Sequence, residues 1–98
     1  MFRALTELDT LRSEIDAIDE ELVRALARRF EIVARVAEYK ARTGIPMMQR
    51  DRVREVGERS AALAERHELN PRMVRRVFDL LIEESCAFED RRIGEVSG

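Results

Sequence analysis

A segment without glycine or proline extends from Leu8 to Thr43, over a third of the 98 residues. Its apolar residues recur at alternating spacings of three and four, the periodicity of one face of an α-helix. They are Leu8, Leu11, Ile15, Ile18, Leu22, Ala25, Ile32 and Val36. The segment therefore predicts one helix from about residue 8 to residue 43, which Gly44 and Pro46 bring to an end.

Such a helix is longer than a compact domain formed by a chain of this size. About 36 residues span about 54 Å, whereas a compact domain of this length has a radius of gyration of only about 13 Å. Part of the apolar face would therefore meet water in a monomer. We expect a homodimer in which the long helix is the spine of an intertwined helical bundle.

The remaining sequence predicts two more helices and no strand. The second runs from about residue 50 to residue 66. Asn70 is a favourable N-cap and Pro71 suits the first position of the third helix, expected over residues 71–92. The tail, residues 94–98, is expected to be disordered. The predicted fold is all-α, a single domain over residues 1–98 made of a three-helix chain with one very long N-terminal helix.

Composition limits the partners. Charged residues make up 39% and hydrophobic ones 45%, and the net charge of −2 disfavours general binding to nucleic acid or to membrane surfaces. The single cysteine, Cys86, cannot form an internal disulfide and suits a reducing compartment. Since no stretch has the roughly 20 apolar residues needed to cross a bilayer, a cytoplasmic protein is expected.

Two cations interrupt the apolar face of the long helix. Arg29 fills the one gap in the pattern, and Lys40, eleven residues later, points within about 20° of it. Neither has an aspartate or glutamate three or four residues away on the helix. A charge on a burying face costs several kcal/mol unless an opposite charge meets it. The sequence therefore predicts a bound anionic ligand.

Further polar residues lie on or near the inner faces of the helices, namely Arg12, Arg52, Ser85 and Glu89. Ordinary structural roles stay open for each: Arg12 paired with Asp16, Arg52 with Glu55, Ser85 bonded to the Leu81 carbonyl, and Glu89 paired with Arg92. The set contains no metal-ligand spacing, no nucleophile with a base and no phosphate-binding glycine loop. Such a site would bind an anion in a reactive shape and stabilise charge in the transition state, without a metal or cofactor.

The joint spacing of these residues resembles the all-helical chorismate mutases. The matching positions are Leu11-Arg12-x-x-Ile15-Asp16-x-Ile18-Asp19-x-x-Leu22, Arg28-Arg29, Lys40, Arg52 and Leu81-Ile82-Glu83-Glu84-Ser85. The resemblance covers roughly residues 8–92 and implies an intertwined dimer with two active sites. It also implies an isomerase of aromatic biosynthesis that converts chorismate, a small dicarboxylate, to prephenate by a Claisen rearrangement, with no cofactor.

The resemblance implies that four of these residues hold the substrate, Arg29 as a catalytic residue and Arg12, Arg52 and Ser85 as binding residues. Arg29, together with Arg12 reaching across from the partner chain, would bind the two substrate carboxylates, a task that suits the guanidinium fork. Arg52 would support the carboxylate end of the pocket. Ser85 would contact the ring or its carboxylate.

Two residues are implied in catalysis at the breaking carbon–oxygen bond. Lys40 would donate a hydrogen bond to the ether oxygen, where negative charge develops. Glu89 matches a position that donates to the same oxygen and is often glutamine. A carboxyl group can donate there only when it is protonated.

The substrate is the least determined part of the resemblance. Many members carry a carboxylate in helix two that binds the C4 hydroxyl of chorismate, where this chain has Val53, and Gln49 stands where aspartate is frequent. The loop Pro46-Met47-Met48-Gln49 followed by Arg52-Val53 is similar to relatives that rearrange 4-amino-4-deoxychorismate. Chorismate is the expected substrate and the amino analogue the alternative. An isochorismate-pyruvate lyase and a non-catalytic scaffold dimer come after these.

Overall fold

The computed structural model describes residues 6–97. They form three helices, α1 (Glu7–Thr43), α2 (Arg50–Arg66) and α3 (Pro71–Ser97), and no strand occurs among these residues. The predicted all-α class and the order of three helices are confirmed. No helix in the described part of the chain is both long enough and apolar enough to cross a membrane.

Both ends of α1 are capped by local hydrogen bonds. The Asp9 amide donates to Thr6 Oγ1 (3.0 Å), and the Thr6 amide donates to Asp9 Oδ2 (3.3 Å). This reciprocal pair satisfies amide groups that the first turn leaves without helical partners. At the other end Gly44 adopts φ +73°, and the Ile45 amide donates to the Lys40 carbonyl (3.2 Å). The helix therefore ends at the glycine that the sequence indicated.

The turn between α2 and α3 uses a left-handed residue that is not glycine. Glu68 adopts φ 57°, its amide donates to the Glu65 carbonyl (3.2 Å), and the Leu69 amide donates to the Ala64 carbonyl (2.8 Å). These two bonds close α2 in a Schellman motif. Asn70 Oδ1 then accepts from the Arg72 amide (2.9 Å), so Asn70 caps α3 as predicted.

The chain divides into two compact units, whose described parts are residues 6–32 and residues 33–97. The first is a helical segment of α1 whose apolar side chains stay about half exposed. Leu11, Ile15, Ile18 and Leu22 are 48% to 58% exposed. This first unit is a helical segment. The single domain over residues 1–98, which the chain length predicted, stays a prediction.

The second unit contains the end of α1 together with α2 and α3. Its buried residues are small or polar: Ala37, Gly57, Ser60, Ala64, Ser85 and Glu89. Gly57 leaves room for the end of the Arg75 side chain of α3, because a Cβ atom there would lie 2.5 Å from Cζ of Arg75. A thin core of this kind leaves polar side chains in the interior, and these must find partners there.

The end of α3 differs from the prediction. The helix continues to Ser97, whereas the sequence predicted its end near residue 92 and a disordered tail over 94–98. Arg92 donates to Glu95 one turn later (3.1 Å), which supports the extra turn. Gly94 does not prevent this continuation, because one glycine inside a helix costs only about 1 kcal/mol. Gly98 lies outside the described residues.

Candidate active site

Lys40 and Glu89 form the centre of the candidate site. Lys40 lies in the last turn of α1, and its ammonium donates to Glu89 Oε1 on α3 and to the Met47 carbonyl, each at 2.7 Å. The two side chains are only 13% and 11% exposed. Glu89 therefore supplies the anion that the sequence analysis assigned to a ligand, and the alternative pairing of Glu89 with Arg92 does not occur in the structure.

The loop after α1 belongs to the same arrangement. The Schellman closure at Gly44 turns the chain, and Met47 then presents its carbonyl to Lys40. An ammonium carries three donors, so two are used by these contacts. One partner lies on α3 and the other in the loop, so the ammonium is held from two directions.

Ser85 lies one turn before Glu89 on α3 and is buried. Cys86 follows it. Burial raises the pKa of the Cys86 thiol, the Glu89 carboxylate raises it further, and Lys40 opposes them. The thiolate is therefore a minor form at neutral pH, which agrees with a packing role for Cys86 rather than a nucleophilic one.

Three predicted binding residues lie where the loop enters α2. Gln49 precedes the helix, and its amide nitrogen donates to the Pro46 carbonyl (2.9 Å) instead of capping the helix. Arg52 pairs with Glu55, as the alternative interpretation had it, but this pair is largely exposed. Exposed pairs contribute only about 0–1 kcal/mol, so this contact leaves Arg52 able to exchange partners. Val53 is half-buried.

Arg12 and Arg29 belong to the first unit. Arg12 is exposed, and among residues 6–97 it forms no ion pair with Asp16. Arg29 is half-buried on α1, as its place in the apolar pattern indicated. Their predicted roles as carboxylate ligands stay predictions.

A second ion-pair cluster was missed by the sequence analysis. Arg92 donates to Glu38 Oε1 through Nε (3.2 Å) and Nη2 (2.5 Å), and through Nη1 to Glu95 Oε2 (3.1 Å). The hydrogen bonds to Glu38 and then to Glu95 raise the pKa of Arg92 above its ordinary value. The spacing of Arg92 and Glu95 was a readable signal. Glu38 lies 54 residues from Arg92 in the sequence, so no local sequence pattern indicated their contact.

A cavity of about 190 Å³ lies beside this cluster. Its lining consists of Ala34, Phe88, Arg91, Arg92 and Glu95. None of the predicted site residues contributes to it. In the described part of the chain, no group of three or more His, Cys, Asp or Glu side chains is placed to hold a metal ion.

Comparison with known proteins relates this arrangement to a family. The family model described as chorismate mutase type II matches residues 11–90. A 4-amino-4-deoxychorismate mutase of Streptomyces venezuelae is 42% identical over 86% of this chain and 82% of its own length. One of Streptomyces pristinaespiralis is 38% identical over 92% of this chain and 70% of its own. A chorismate mutase of Methanocaldococcus jannaschii is 28% identical over 93% and 92%.

Proposed function

The chain belongs to the chorismate mutase type II family, whose members are isomerases, and from that premise we propose that its substrate is 4-amino-4-deoxychorismate. The observation that carries the proposal is the 42% identity to a mutase of that name over 82% of the relative's length. Chorismate is the second candidate, because the Methanocaldococcus jannaschii chorismate mutase is matched over 92% of its length. Both reactions are the same rearrangement and differ in the substituent at C4.

The residues at the start of α2 support the amino substrate. Val53 is apolar, so it provides no acceptor for a C4 hydroxyl, in contrast to the carboxylate frequent in the family. The Gln49 amide nitrogen is committed to the Pro46 carbonyl, which leaves the amide oxygen as an acceptor. A protonated amine only donates. We infer that Gln49 reads the C4 amine through this oxygen.

Lys40 supplies the chemistry in this proposal. Its third ammonium proton has no acceptor among residues 6–97, since Glu89 and Met47 take the other two. We infer that this proton meets the ether oxygen as the carbon–oxygen bond breaks. The contact strengthens as charge develops, so it lowers the barrier rather than merely binding the ground state. Comparable preorganised donors contribute about 3–4 kcal/mol.

The substrate carboxylates are assigned to arginines. Arg29 binds one carboxylate and Arg12 of the second chain in a homodimer binds the other, with Arg52 and Ser85 completing the pocket. The guanidinium fork suits a carboxylate, and arginine stays charged at every physiological pH. Arg52 can give up its exposed contact with Glu55 at small cost.

Exposed apolar faces support the homodimer. Leu11, Ile15, Ile18 and Leu22 of α1 are about half exposed. A second face consists of Leu69, Met73, Val77 and Leu80, at 48% to 58% exposure. Rows of large apolar side chains at helical spacing are typical of surfaces that a partner covers. We propose that a second copy of the chain covers both faces.

The cytoplasmic location expected from the single cysteine stays part of the proposal.

The test is a parallel assay of the purified protein with 4-amino-4-deoxychorismate, chorismate and isochorismate, with products identified by chromatography and mass spectrometry. We expect the largest kcat/KM for the amino substrate. A larger kcat/KM for chorismate would select the second candidate, and pyruvate released from isochorismate would indicate a lyase.

A substitution at Val53 tests how the C4 substituent is read. In Val53→Glu the new carboxylate can accept from a hydroxyl, so kcat/KM for chorismate should rise about 10-fold, the value of one charged hydrogen bond. Val53→Met is the control, because methionine is about as long as glutamate and adds no carboxylate to accept from the hydroxyl. If both variants change chorismate turnover equally, Val53 does not face C4.

A further inference from the structure

We propose that Arg92 is a positioning residue that, through Glu38, fixes the register of α1 against α3 and thereby the direction of the Lys40 ammonium. This inference rests on the proposed role of Lys40 in the reaction. Among the described residues, Arg92 forms its hydrogen bonds with Glu38 and Glu95, and with neither Lys40 nor Glu89. Its influence must therefore pass through Glu38 and along the last turns of α1 to Lys40.

The order of charges on the two helices carries the argument. On α1 the carboxylate Glu38 precedes the cation Lys40, and on α3 the carboxylate Glu89 precedes the cation Arg92. The contacts join Lys40 to Glu89 and Glu38 to Arg92, so α1 and α3 run in opposite directions where these residues meet. Each helix therefore presents both signs of charge, and each charge meets its opposite on the other helix.

The two ion pairs hold the end of α1 from two sides. Residues two apart on a helix point about 160° away from each other, so Glu38 and Lys40 reach their partners on α3 from opposite flanks of α1. A rotation or a shift of the end of α1 would lengthen at least one of the two pairs and weaken its attraction. In the observed register all four charges have opposite neighbours.

The geometry of Arg92 suits this task better than that of another cation. Three of its nitrogens donate, two to Glu38 and one to Glu95. A lysine is a point charge on a flexible stem and has no such fork. Arg92 is 39% exposed and Glu38 34%, so solvent screens this pair far more than the nearly buried Lys40–Glu89 pair. The Arg92–Glu38 pair therefore contributes mainly by fixing the geometry of the two helices, and little through its electrostatic attraction.

The sequence provides a probe that needs no activity. Lys40 is the one lysine in the chain, so protein labelled with 15N at the lysine side-chain nitrogen gives a single ammonium signal in a proton–nitrogen NMR spectrum. The chemical shift and the water-exchange rate of that signal report directly on the contacts of Lys40. We expect Arg92→Ala and Glu38→Gln to shift it in the same direction and to accelerate its exchange several-fold, whereas Glu95→Gln, the matched control on the exposed side of Arg92, leaves it unchanged.

The second readout is kinetic. On the substrate that the wild-type enzyme turns over best, Arg92→Ala should lower kcat by about 10- to 100-fold, the effect of a small displacement at a reacting centre, while KM changes less than twofold. Glu38→Gln should do the same, and the double variant should lose no more than either single variant, because both act through one contact. Arg92→Lys should recover part of kcat. Circular dichroism at the assay temperature gives the folded fraction.

The outcomes are separable. If Arg92→Ala is folded and both the Lys40 signal and kcat match the wild type, the positioning role is wrong. If Arg92→Ala does not fold, Arg92→Lys decides, and a wild-type signal and wild-type kcat in that variant would overturn the proposal. A wild-type protein inactive on all three substrates overturns the proposed function instead, and the Lys40 signal then still decides whether Arg92 sets the environment of the ammonium.

Discussion

At the scale of single residues, Lys40 has an internal partner. The sequence marked it as a cation on an apolar face and assigned its countercharge to a ligand. The structure places Glu89 there, at 2.7 Å. Removing one member of such a buried pair costs about 3–5 kcal/mol, while the intact pair contributes little to stability. The pair therefore serves to hold the ammonium in place, and the substrate has to match a cation whose direction is already fixed.

Arg29→Ala separates an enzyme from a scaffold. We expect kcat/KM to fall by a factor equivalent to about 3–4 kcal/mol, because a substrate carboxylate loses its guanidinium. Arg24→Ala is the control, since Arg24 lies on the same helix in an exposed pair with Glu20 and has no predicted role. Steady-state kinetics on the preferred substrate give the values. Equal activity of the two variants would contradict the role of Arg29.

Glu89→Gln tests the role predicted for Glu89. If Glu89 donates to the ether oxygen, Glu89→Gln should raise kcat on the preferred substrate, because an amide donates without first taking up a proton. If Glu89 acts instead as the charged acceptor that orients Lys40, the neutral amide holds the ammonium less firmly and kcat should fall. Steady-state kinetics at one pH measure kcat, and a lower value would contradict the predicted donor role.

At the scale of helices, ends follow local chemistry. Gly44 and Asn70 act as the sequence indicated, because the groups they satisfy lie within one turn. The end of α3 was predicted five residues too early. The helix continues across Gly94 to Ser97, and the Arg92–Glu95 contact supports this extra turn.

Glu68 gives a prediction about stability. A residue with a side chain at φ 57° is destabilised by about 1 kcal/mol relative to glycine. Glu68→Gly should therefore raise the free energy of unfolding by about 1 kcal/mol. Glu65→Gly is the matched control, because position 65 lies inside α2 and the same change there should cost about 1 kcal/mol. Urea titrations at one fixed protein concentration measure both, and parallel changes would contradict the assignment.

At the scale of the whole molecule, large apolar side chains are left half exposed in a single chain. Ile15, Ile18 and Leu22 on α1 are the clearest examples. A chain this short buries a smaller fraction of its surface by itself than a larger domain does. Association with a second copy would remove this surface from water and would also bring Arg12 of one chain to the site of the other.

Complementation tests that arrangement. Arg12→Ala and Arg29→Ala should each be nearly inactive as pure homodimers. When the two are unfolded and refolded together, about half of the dimers are mixed, and one of the two sites in each has both arginines. About a quarter of wild-type activity should therefore return, as two-fold symmetry requires. No recovery, with a dimer confirmed by analytical ultracentrifugation, would place both arginines of a site in one chain.

The sequence by itself determined the helical class, the order of three helices, most of their ends and the anomalous position of Lys40. These depend on hydrophobic periodicity and on contacts reaching at most about one turn along the chain. Only the tertiary structure decided that Glu89 meets Lys40 and that Glu38 meets Arg92, pairs separated by 49 and 54 residues. No local rule links such positions, because their meeting depends on where the end of α1 and α3 come to lie in the folded chain, and many side chains far apart in the sequence determine that together.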